Sequence, residues 1–318
     1  MPGRAGMESA VRMRAVAAVR APASSANLGP GFDALGLALA RYDDVTAELV
    51  DGPTTVTVHG EGAGELPSGD QHLVVRALHA GFAELGRPPP AVALTCHNRI
   101  PQERGLGSSS AAIVAGVLLA GALAGALAGA ADRWDREAVL RLAARIEGHP
   151  DNVAACLCGG LTIAWSAAGG ARAVRLTPHP AVRPTVFVPE QRGLTAAARA
   201  GLPATVPHAD AVHTAGRAAL LVAALTRRPE WLLDATEDRL HQPYRAAGIP
   251  ATAALVAQLR AAGVPAVVSG AGPSVLALRP VPDRISLPPG WVRRGLAVDQ
   301  GGAVVRPGVP AGMLARDP

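Results

Sequence analysis

The order of apolar and polar positions along the chain predicts strands and helices in a mixed order. Short runs that alternate or stay apolar, as strands do, occupy residues 14–24, 35–49, 54–60, 91–100, 159–165, 185–189, 266–270 and 274–278. Helical periodicity or longer apolar stretches predict helices over residues 71–86, 108–131, 135–147, 195–201, 209–226 and 251–262. The pattern therefore indicates a protein that contains both sheets and helices.

A stretch rich in proline separates these elements into two groups. The sequence "TPHPAVRP" at residues 177–184 is typical of a boundary between domains. With 318 residues, of which 49% are hydrophobic and 17% charged, the chain is long and apolar enough to form two cores. We predict a domain over residues 14–180, a second over residues 181–305, and a loosely ordered tail over residues 306–318.

The most apolar stretch, residues 111–131, has the length of a membrane span. Fourteen of its 21 residues are alanine or glycine, which are weakly hydrophobic, and it lacks positive flanks on one side. We therefore expect a helix buried inside the protein and no contact with a membrane. Residues 1–14 contain arginine without a following apolar stretch, so a signal peptide is not expected, whether translation starts at Met1, Met7 or Met13.

Composition excludes several classes of enzyme, because every one of the 30 basic residues is arginine and no lysine occurs. A Walker-type phosphate loop, the strand lysine of protein kinases and Schiff-base catalysis all need a lysine amine. The net charge of +5 could indicate nucleic acid binding, but the arginines are scattered and aromatic residues make up only 3%. We therefore expect no nucleic acid partner.

The three cysteines indicate where the protein works. Cys96, Cys156 and Cys158 are an odd number and do not have the spacing of a zinc site. They are typical of buried thiols in a reducing compartment, which predicts a cytoplasmic protein.

The segment "PQERGLGSSSAA" at residues 101–112 has the composition of an anion site. Gly105 and Gly107 can adopt positive φ and let the backbone approach a ligand closely. Ser108, Ser109 and Ser110 stand where the apolar helix begins, and the first amide groups of a helix have no partner inside it. A serine hydroxyl at this place can also bind Mg²⁺ beside a phosphate. We call residues 101–107 the glycine loop and expect it to bind phosphate, although a serine N-cap after a flexible entry would look similar.

This segment resembles the phosphate loop of the GHMP kinase superfamily, which binds ATP without a Walker lysine. Three further segments resemble the homoserine kinases within that superfamily: "APASSANLGPGFDALGLAL" at residues 21–39, "EGHPDNVAACLCGG" at 147–160, and "DRLHQPYR" at 238–245 followed by "VVSGAGPSVLAL" at 267–278. The matches occur in order and extend from about residue 14 to residue 280. Ser110 stands where the superfamily usually has alanine, and this small residue also fits a tight start of a helix.

The resemblance implies a two-domain α+β fold. Its N-terminal half would be similar to domain 2 of ribosomal protein S5, with a left-handed βαβ crossover, and its C-terminal half would be ferredoxin-like. It also implies transfer of a phosphoryl group from ATP to L-homoserine, a step of threonine biosynthesis, with Mg²⁺ as the metal. A homodimer stays open as an expectation.

The resemblance also assigns residues to roles. The implied ATP-binding residues are Pro101, Gln102, Glu103, Arg104, Gly105, Leu106, Gly107, Ser108, Ser109, Ser110, Ala111, Gly270 and Gly272. The implied substrate-binding residues are Asn27, Asp33, His149, Asn152, Thr195, Arg199 and Arg245. The implied catalytic residues are Asn27, Ser109 and Glu147, of which Ser109 and Glu147 would bind Mg²⁺. The adenine would lie near the strand at residues 91–100 and the segment at 61–75.

The chemistry of these residue types suits a zwitterionic substrate. A carboxylate such as that of Asp33 can bind an ammonium, and a guanidinium fork matches a carboxylate. Without lysine, the substrate hydroxyl would pass its proton to phosphate or water, because phosphoryl transfer depends mainly on positioning and charge. Another kinase of the superfamily, acting on a different alcohol, is the alternative.

Overall fold

The structure is a computed structural model and describes residues 15–128, 135–193 and 195–307. Its strands are β1 (Val16–Ala26), β2 (Leu35–Leu49), β3 (Thr55–Gly60), β4 (Val92–Asn98), β5 (Leu161–Ala167), β6 (Gly170–Leu176), β7 (Thr185–Pro189), β8 (Ala266–Val268), β9 (Val275–Ala277), β10 (Trp291–Gly295) and β11 (Val304–Pro307). Its α-helices are α1 (Leu73–Glu84), α2 (Ser108–Ala128), α3 (Arg136–Glu147), α4 (Asp151–Cys158), α5 (Thr195–Ala200), α6 (His208–Thr226), α7 (Leu232–Ala235), α8 (Gln242–Arg245) and α9 (Pro250–Ala261).

The larger sheet is built around the long antiparallel pair β1 and β2. Its strand order is β11-β1-β2-β4-β3, and β5 joins β2 while β6 joins β5. The strands β3 and β4 are parallel, and α1 connects them, which gives the βαβ unit that the resemblance implies. The hand of this crossover stays a prediction.

The last described strand corrects the predicted tail. Arg306 and Pro307, which we expected to be loosely ordered, belong to β11 and pair with Ala18 and Ala17 of β1. A strand forms there because the edge of β1 offers unpaired backbone groups that Val304–Pro307 can satisfy. Residues 308–318 lie outside the described residues.

The smaller sheet is antiparallel throughout and has the order β10-β7-β9-β8. It carries α9 on one face, as a ferredoxin-like half requires. The connection from β9 to β10 contains no helix within the described residues, whereas a β-α-β-β-α-β unit has its second helix there. The exact division into domains at residues 180 and 181 stays a prediction.

The two sheets share one hydrophobic core across β7. Val186 and Val188 point into the main core together with the side chains of α2 and β1, whereas Phe187 packs under α9 with Leu255 and Leu259. Because successive side chains of a strand point to opposite faces, a single buried strand connects both clusters. The two halves therefore hold a fixed arrangement, and a site can form between them.

Helix α2 lies inside the protein, as its composition predicted. By length and hydropathy alone it is the one helix among the described residues that could cross a membrane, yet 67% of its most apolar window is buried. It packs against α1, α3, α4 and β1. A Cβ added to Gly116 would lie 2.4 Å from the carbonyl oxygen of Val74 and 2.7 Å from Cβ of Ala77, so the two helices touch backbone to backbone.

Because of this contact, replacing glycine with alanine should have opposite effects on the free energy of unfolding at two helical positions. Gly116→Ala should lower the free energy of unfolding by about 1–3 kcal/mol, because the added methyl overpacks the α1–α2 contact. Gly216→Ala, in the exposed part of α6 where nothing lies within 4 Å of the new Cβ, should raise it by up to about 1 kcal/mol through helix propensity. Urea unfolding of both variants tests this, and a stabilising Gly116→Ala would contradict the close helix contact.

Candidate functional site

A cavity of about 460 Å³ opens where the two halves meet. It brings together most of the side chains that the sequence predicted for the site: Asn27, Asp33, Gln102, Glu103, Arg104, Gly105, Leu106, Gly107, Ser108, Ser109, Glu147, His149, Asn152, Arg199, Arg245 and Gly270. These residues come from segments up to 243 positions apart, as the bond between Asn27 and Gly270 illustrates. The fold therefore assembles the motifs into one place.

The glycine loop needs glycine for two separate reasons. Gly105 and Gly107 have φ of 69° and 71°, which side chains rarely adopt. A Cβ on Gly105 would lie 2.2 Å from the carbonyl oxygen of Ser269, and one on Gly107 would lie 2.1 Å from Oγ of Ser24. The loop is therefore packed on both sides, by the turn at residues 269–273 and by β1.

The start of α2 meets the end of α3. The hydroxyls of Ser109 and Ser110 donate to Oε1 of Glu147 at 2.6 and 2.9 Å, and the hydroxyl of Ser108 donates to Gln102. Glu147 is the last residue of α3, where Gly148 ends the helix in a left-handed conformation, and its side chain is only 9% exposed. A carboxylate and two hydroxyls thus lie beside the free amide groups that begin α2.

The motif after Glu147 is held in place by its own hydrogen bonds. Nδ1 of His149 donates to Asp151 at 2.7 Å, and Asp151 also accepts the backbone amide of Asn152. The hydrogen bond with Asp151 raises the pKa of His149, because it favours the protonated ring. Asn152 in turn accepts a hydrogen bond from the hydroxyl of Ser24 at 2.9 Å. Asp151 therefore supports this segment, and it lines the cavity together with His149 and Asn152.

The turn after β1 is shaped by Asn27. This residue has a positive φ of 69°, and its amide nitrogen donates to the carbonyl of Gly270 while its amide oxygen accepts the backbone amide of Asp33. An amide nitrogen carries two hydrogens, so one remains free for a ligand in the cavity. Asn27 therefore joins the first motif to the turn at residues 269–273.

Asp33 and Arg199, predicted to bind opposite ends of a zwitterion, pair with each other. The two guanidinium nitrogens donate to the two carboxylate oxygens at 2.8 and 2.7 Å. This pairing raises the pKa of Arg199, and the side chains remain 35% and 45% exposed for Asp33 and Arg199. Because the carboxylate can accept further bonds and the guanidinium can donate further ones, each group keeps capacity for a ligand.

Arg245 is buried and held by a neutral histidine. Its Nη1 atom donates to Nδ1 of His241 at 3.1 Å, and Nε2 of His241 donates to the carbonyl of Gly29 at 2.8 Å. A guanidinium can only donate and a carbonyl can only accept, so His241 carries its single proton on Nε2. Burial lowers the pKa of His241, which agrees with the neutral form. Phe32 stacks on His241 and lies under the guanidiniums of both Arg245 and Arg199.

Several predicted ATP-binding residues do not reach the cavity. Pro101, Ser110, Ala111 and Gly272 do not line it. The amide of Ala111 already donates to the carbonyl of Gly107, and proline has no amide hydrogen, so these two residues bound the glycine loop. The side chain of Thr195, which begins α5, lies outside the described residues.

Sequence reasoning also missed residues that the structure places at the site. Ser24, Phe32 and His241 all belong to the quoted motifs, and their position next to predicted residues was the only available signal. Asp43 lines the cavity from β2, where it accepts the backbone amides of Arg99 and Ile100. Burial raises its pKa to about 6.

Leu66 and Pro67, which precede α1, and Leu73 and Val74 at its start line the cavity with apolar side chains, and we call these four residues the apolar arm. His72 lies beside them, 4% exposed, and its Nδ1 atom is buried without a hydrogen-bond partner. The arm is where the sequence predicted the adenine.

Family comparisons agree with this geometry. Residues 72–160 match the family described as GHMP kinases N terminal domain, and residues 220–283 match GHMP kinases C terminal. The first match contains the glycine loop and the motif at residues 147–152, and the second contains Arg245 and the turn at 269–273.

Individual relatives extend the similarity to nearly the whole chain. A homoserine kinase from Streptomyces coelicolor is 53% identical over 96% of this chain and 98% of its own length. A homoserine kinase from Clavibacter michiganensis is 50% identical over 94% of this chain and 97% of its own length. The crystal structure of homoserine kinase from Cytophaga hutchinsonii superposes with a TM-score of 0.78 at 27% identity, covering 92% of this chain and 98% of that one. The chain therefore has the two-domain GHMP kinase fold and belongs to the homoserine kinase family of the GHMP kinases.

Proposed function

We propose that this kinase transfers the γ-phosphoryl group of ATP to the hydroxyl of L-homoserine, forming O-phospho-L-homoserine. The observation that carries the proposal is the composition of one cavity. The glycine loop and the Ser109–Glu147 cluster line it together with Asp33, Arg199 and Arg245. The lining therefore offers groups for the phosphates of a nucleotide and for both charges of a small zwitterion.

The proposed nucleotide site depends on the amide groups at the N-terminus of α2. The amide groups of the glycine loop and of the first turn of α2 would bind the phosphates, supported by the positive end of the helix dipole. The apolar arm at residues 66–74 would hold the nucleobase. The phosphates would then extend from this arm along the glycine loop toward Arg199 and Arg245.

The substrate half follows from charge. Asp33 would bind the ammonium of homoserine, and Arg199 and Arg245 would bind its carboxylate. Burial lowers the pKa of Arg245, but a guanidinium stays protonated at neutral pH, so it remains a buried cation. With its ammonium and its carboxylate both bound, homoserine would hold its hydroxyl at a fixed distance from the γ-phosphate.

The residues at the start of α2 fit Mg²⁺. The metal usually takes one or two protein ligands and keeps water and phosphate oxygens, and the hydroxyl of Ser109 and the carboxylate of Glu147 are such ligands. Magnesium bound there would neutralise charge that develops on the transferring phosphoryl group. Within the described residues no cluster of three or more histidine, cysteine or acidic side chains is suited to a metal.

The proton of the hydroxyl needs no strong base in this scheme. Phosphoryl transfer depends mainly on alignment and charge neutralisation. The free hydrogen of the Asn27 amide would orient the attacking hydroxyl, and the proton would pass to phosphate or water.

The proposal also includes the cellular location and the partners of the protein. The three cysteines are free thiols, two of them buried, which supports a reducing, cytoplasmic setting. The partners would be small molecules, and we propose neither a nucleic acid nor a membrane partner. A homodimer stays an expectation from the resemblance.

Gly107→Ala tests the glycine loop. The new methyl would overlap Oγ of Ser24 and strain the positive φ, so ATP affinity should fall at least about tenfold, or ~1.4 kcal/mol. Gly263→Ala is the matched control, because Gly263 also has a positive φ but nothing within 4 Å of the new Cβ, and it does not line the cavity. Calorimetric titration with a non-hydrolysable ATP analogue measures both, and unchanged affinity in a folded Gly107→Ala protein would refute the assignment.

A substrate panel tests the identity of the alcohol. The wild type should release ADP with L-homoserine far faster than with mevalonate, galactose or L-serine, because serine is one methylene shorter and leaves its hydroxyl out of reach. Homoserine carboxamide should also be a poor substrate. Arg245→Leu should raise KM for homoserine steeply, because the carboxylate loses buried donors. Equal rates for homoserine and its carboxamide in the wild type would favour a kinase for an uncharged alcohol.

Glu147→Gln tests the metal site. The amide oxygen can still accept the hydroxyls of Ser109 and Ser110, so the fold should persist, but the charge is lost. We expect kcat to fall by roughly two orders of magnitude or more, with homoserine binding less affected. Glu84→Gln, which removes a carboxylate from an exposed pair with Arg145, is the control and should have normal activity. Near-normal turnover of Glu147→Gln at saturating Mg²⁺ would exclude Glu147 as a ligand.

A further inference from the structure

Arg104 lies in the glycine loop, where a cation would be expected to contact phosphate, yet its guanidinium is bonded to protein backbone. Its Nε atom donates to the carbonyl of Pro189 at 2.8 Å, Nη2 donates to the carbonyl of Glu190 at 2.8 Å, and Nη1 donates to the carbonyl of Gln102 at 3.1 Å. Each of its three nitrogens thus binds a carbonyl oxygen. Two of these carbonyls belong to the other half of the protein.

The partner of Arg104 is the segment that leads to the substrate side. We call residues 189–193, which follow from the end of β7, and residues 195–200, which form α5, the connecting segment. The backbone amide of Gly193 in this segment donates to the carbonyl of Glu103, which adds a second link to the glycine loop at 2.8 Å. The glycine loop and the connecting segment are therefore joined at three points.

The far end of the connecting segment holds the substrate groups. Arg199 lies on α5 and pairs with Asp33, and the carbonyl of Ala198 accepts a hydrogen bond from Nε of Arg245 at 3.3 Å. Gly193 and Ala198 are only five positions apart in the chain, so a displacement of the glycine loop would be passed along the backbone toward Arg199 and Arg245.

We infer that Arg104 is a positioning residue that couples the nucleotide site to the homoserine site, by tying the glycine loop to the connecting segment. This inference rests on the proposed function for the identity of the two ligands. ATP that orders the glycine loop would also fix the connecting segment, and so place Arg199 and Arg245 for the homoserine carboxylate. By linkage, homoserine would strengthen the binding of ATP by the same factor.

Replacing Arg104 with lysine separates this role from phosphate binding. Lysine keeps the positive charge, so a phosphate contact would largely survive, but an ammonium on a flexible stem cannot reproduce a planar fork that reaches three carbonyls. Arg192→Lys is the matched control. Arg192 lies in the same connecting segment and pairs with Glu65 at 2.6 Å, with both side chains largely exposed.

The experiment measures Kd for the non-hydrolysable ATP analogue AMPPNP with and without saturating L-homoserine, in the full-length protein with Mg²⁺. The wild type and Arg192→Lys should bind the analogue at least about fivefold more tightly when homoserine is present. Arg104→Lys should bind the analogue alone within about threefold of wild type, but homoserine should change that affinity less than twofold. KM for homoserine should rise while kcat changes less.

Other results would overturn the inference. Coupling in Arg104→Lys equal to that of the wild type, or no coupling in the wild type, would refute it. A loss of analogue affinity in Arg104→Lys with coupling intact would make Arg104 a phosphate ligand instead. A wild type that binds AMPPNP but not homoserine would refute the proposed substrate, which is a different result from failure of the coupling.

A second measurement avoids substitutions altogether. In the wild type, AMPPNP alone should slow amide hydrogen exchange at residues 190–193, above all at Gly193, because it orders the glycine loop to which the amide of Gly193 donates. Exchange there that does not respond to the analogue would also refute the coupling.

Discussion

The site depends on two stretches of backbone that approach each other too closely for the glycine loop to carry a side chain at position 105. Gly105 lies against the carbonyl oxygens of Ser269 and Gly272. The hydroxyl of Ser269 donates to the carbonyl of Gly105 and accepts a hydrogen bond from the hydroxyl of Ser25. One junction thus joins the glycine loop, the first strand and the turn at residues 269–273. Because close-packed interiors resist small displacements, the distance between the two halves of the site is set here.

Charge is arranged around this junction with little energy stored in any one pair. Asp33 and Arg199 form a bidentate pair, but both side chains are over one third exposed, and such pairs contribute only about 0–1 kcal/mol. Rearranging this pair when a zwitterionic ligand binds would therefore cost little free energy. Arg245 differs, because it is 6% exposed and depends on His241 and backbone carbonyls to stay in place. Recognition of a carboxylate would accordingly rest more on Arg245 than on Arg199.

Sequence reasoning located the elements better than the contacts between them. Periodicity predicted α1, α2, α3, α6 and α9 to within a few residues, since each of these helices has a long apolar face or is apolar on all sides. It missed α4, whose eight residues follow a motif that reads as a turn, and β6 and β10, whose side chains are mostly exposed and show little apolar pattern. The motifs identified which residues share the cavity, but nothing in the spacing showed that Arg199 pairs with Asp33 or that Arg104 bonds to the connecting segment. These are contacts between residues far apart in the chain, and local pattern contains no information on them.

The return of β11 to the edge of β1 has a consequence for how the polypeptide matures on the ribosome. Chains emerge from the N-terminal end at about 5–20 residues per second, so β1 is synthesised about 290 residues before the strand that covers it. During that interval the row of amides and carbonyls along β1 is open, and open edges invite pairing with strands of other nascent molecules. Closure of the larger sheet is thus a late event, and the smaller half is made before the larger one is complete.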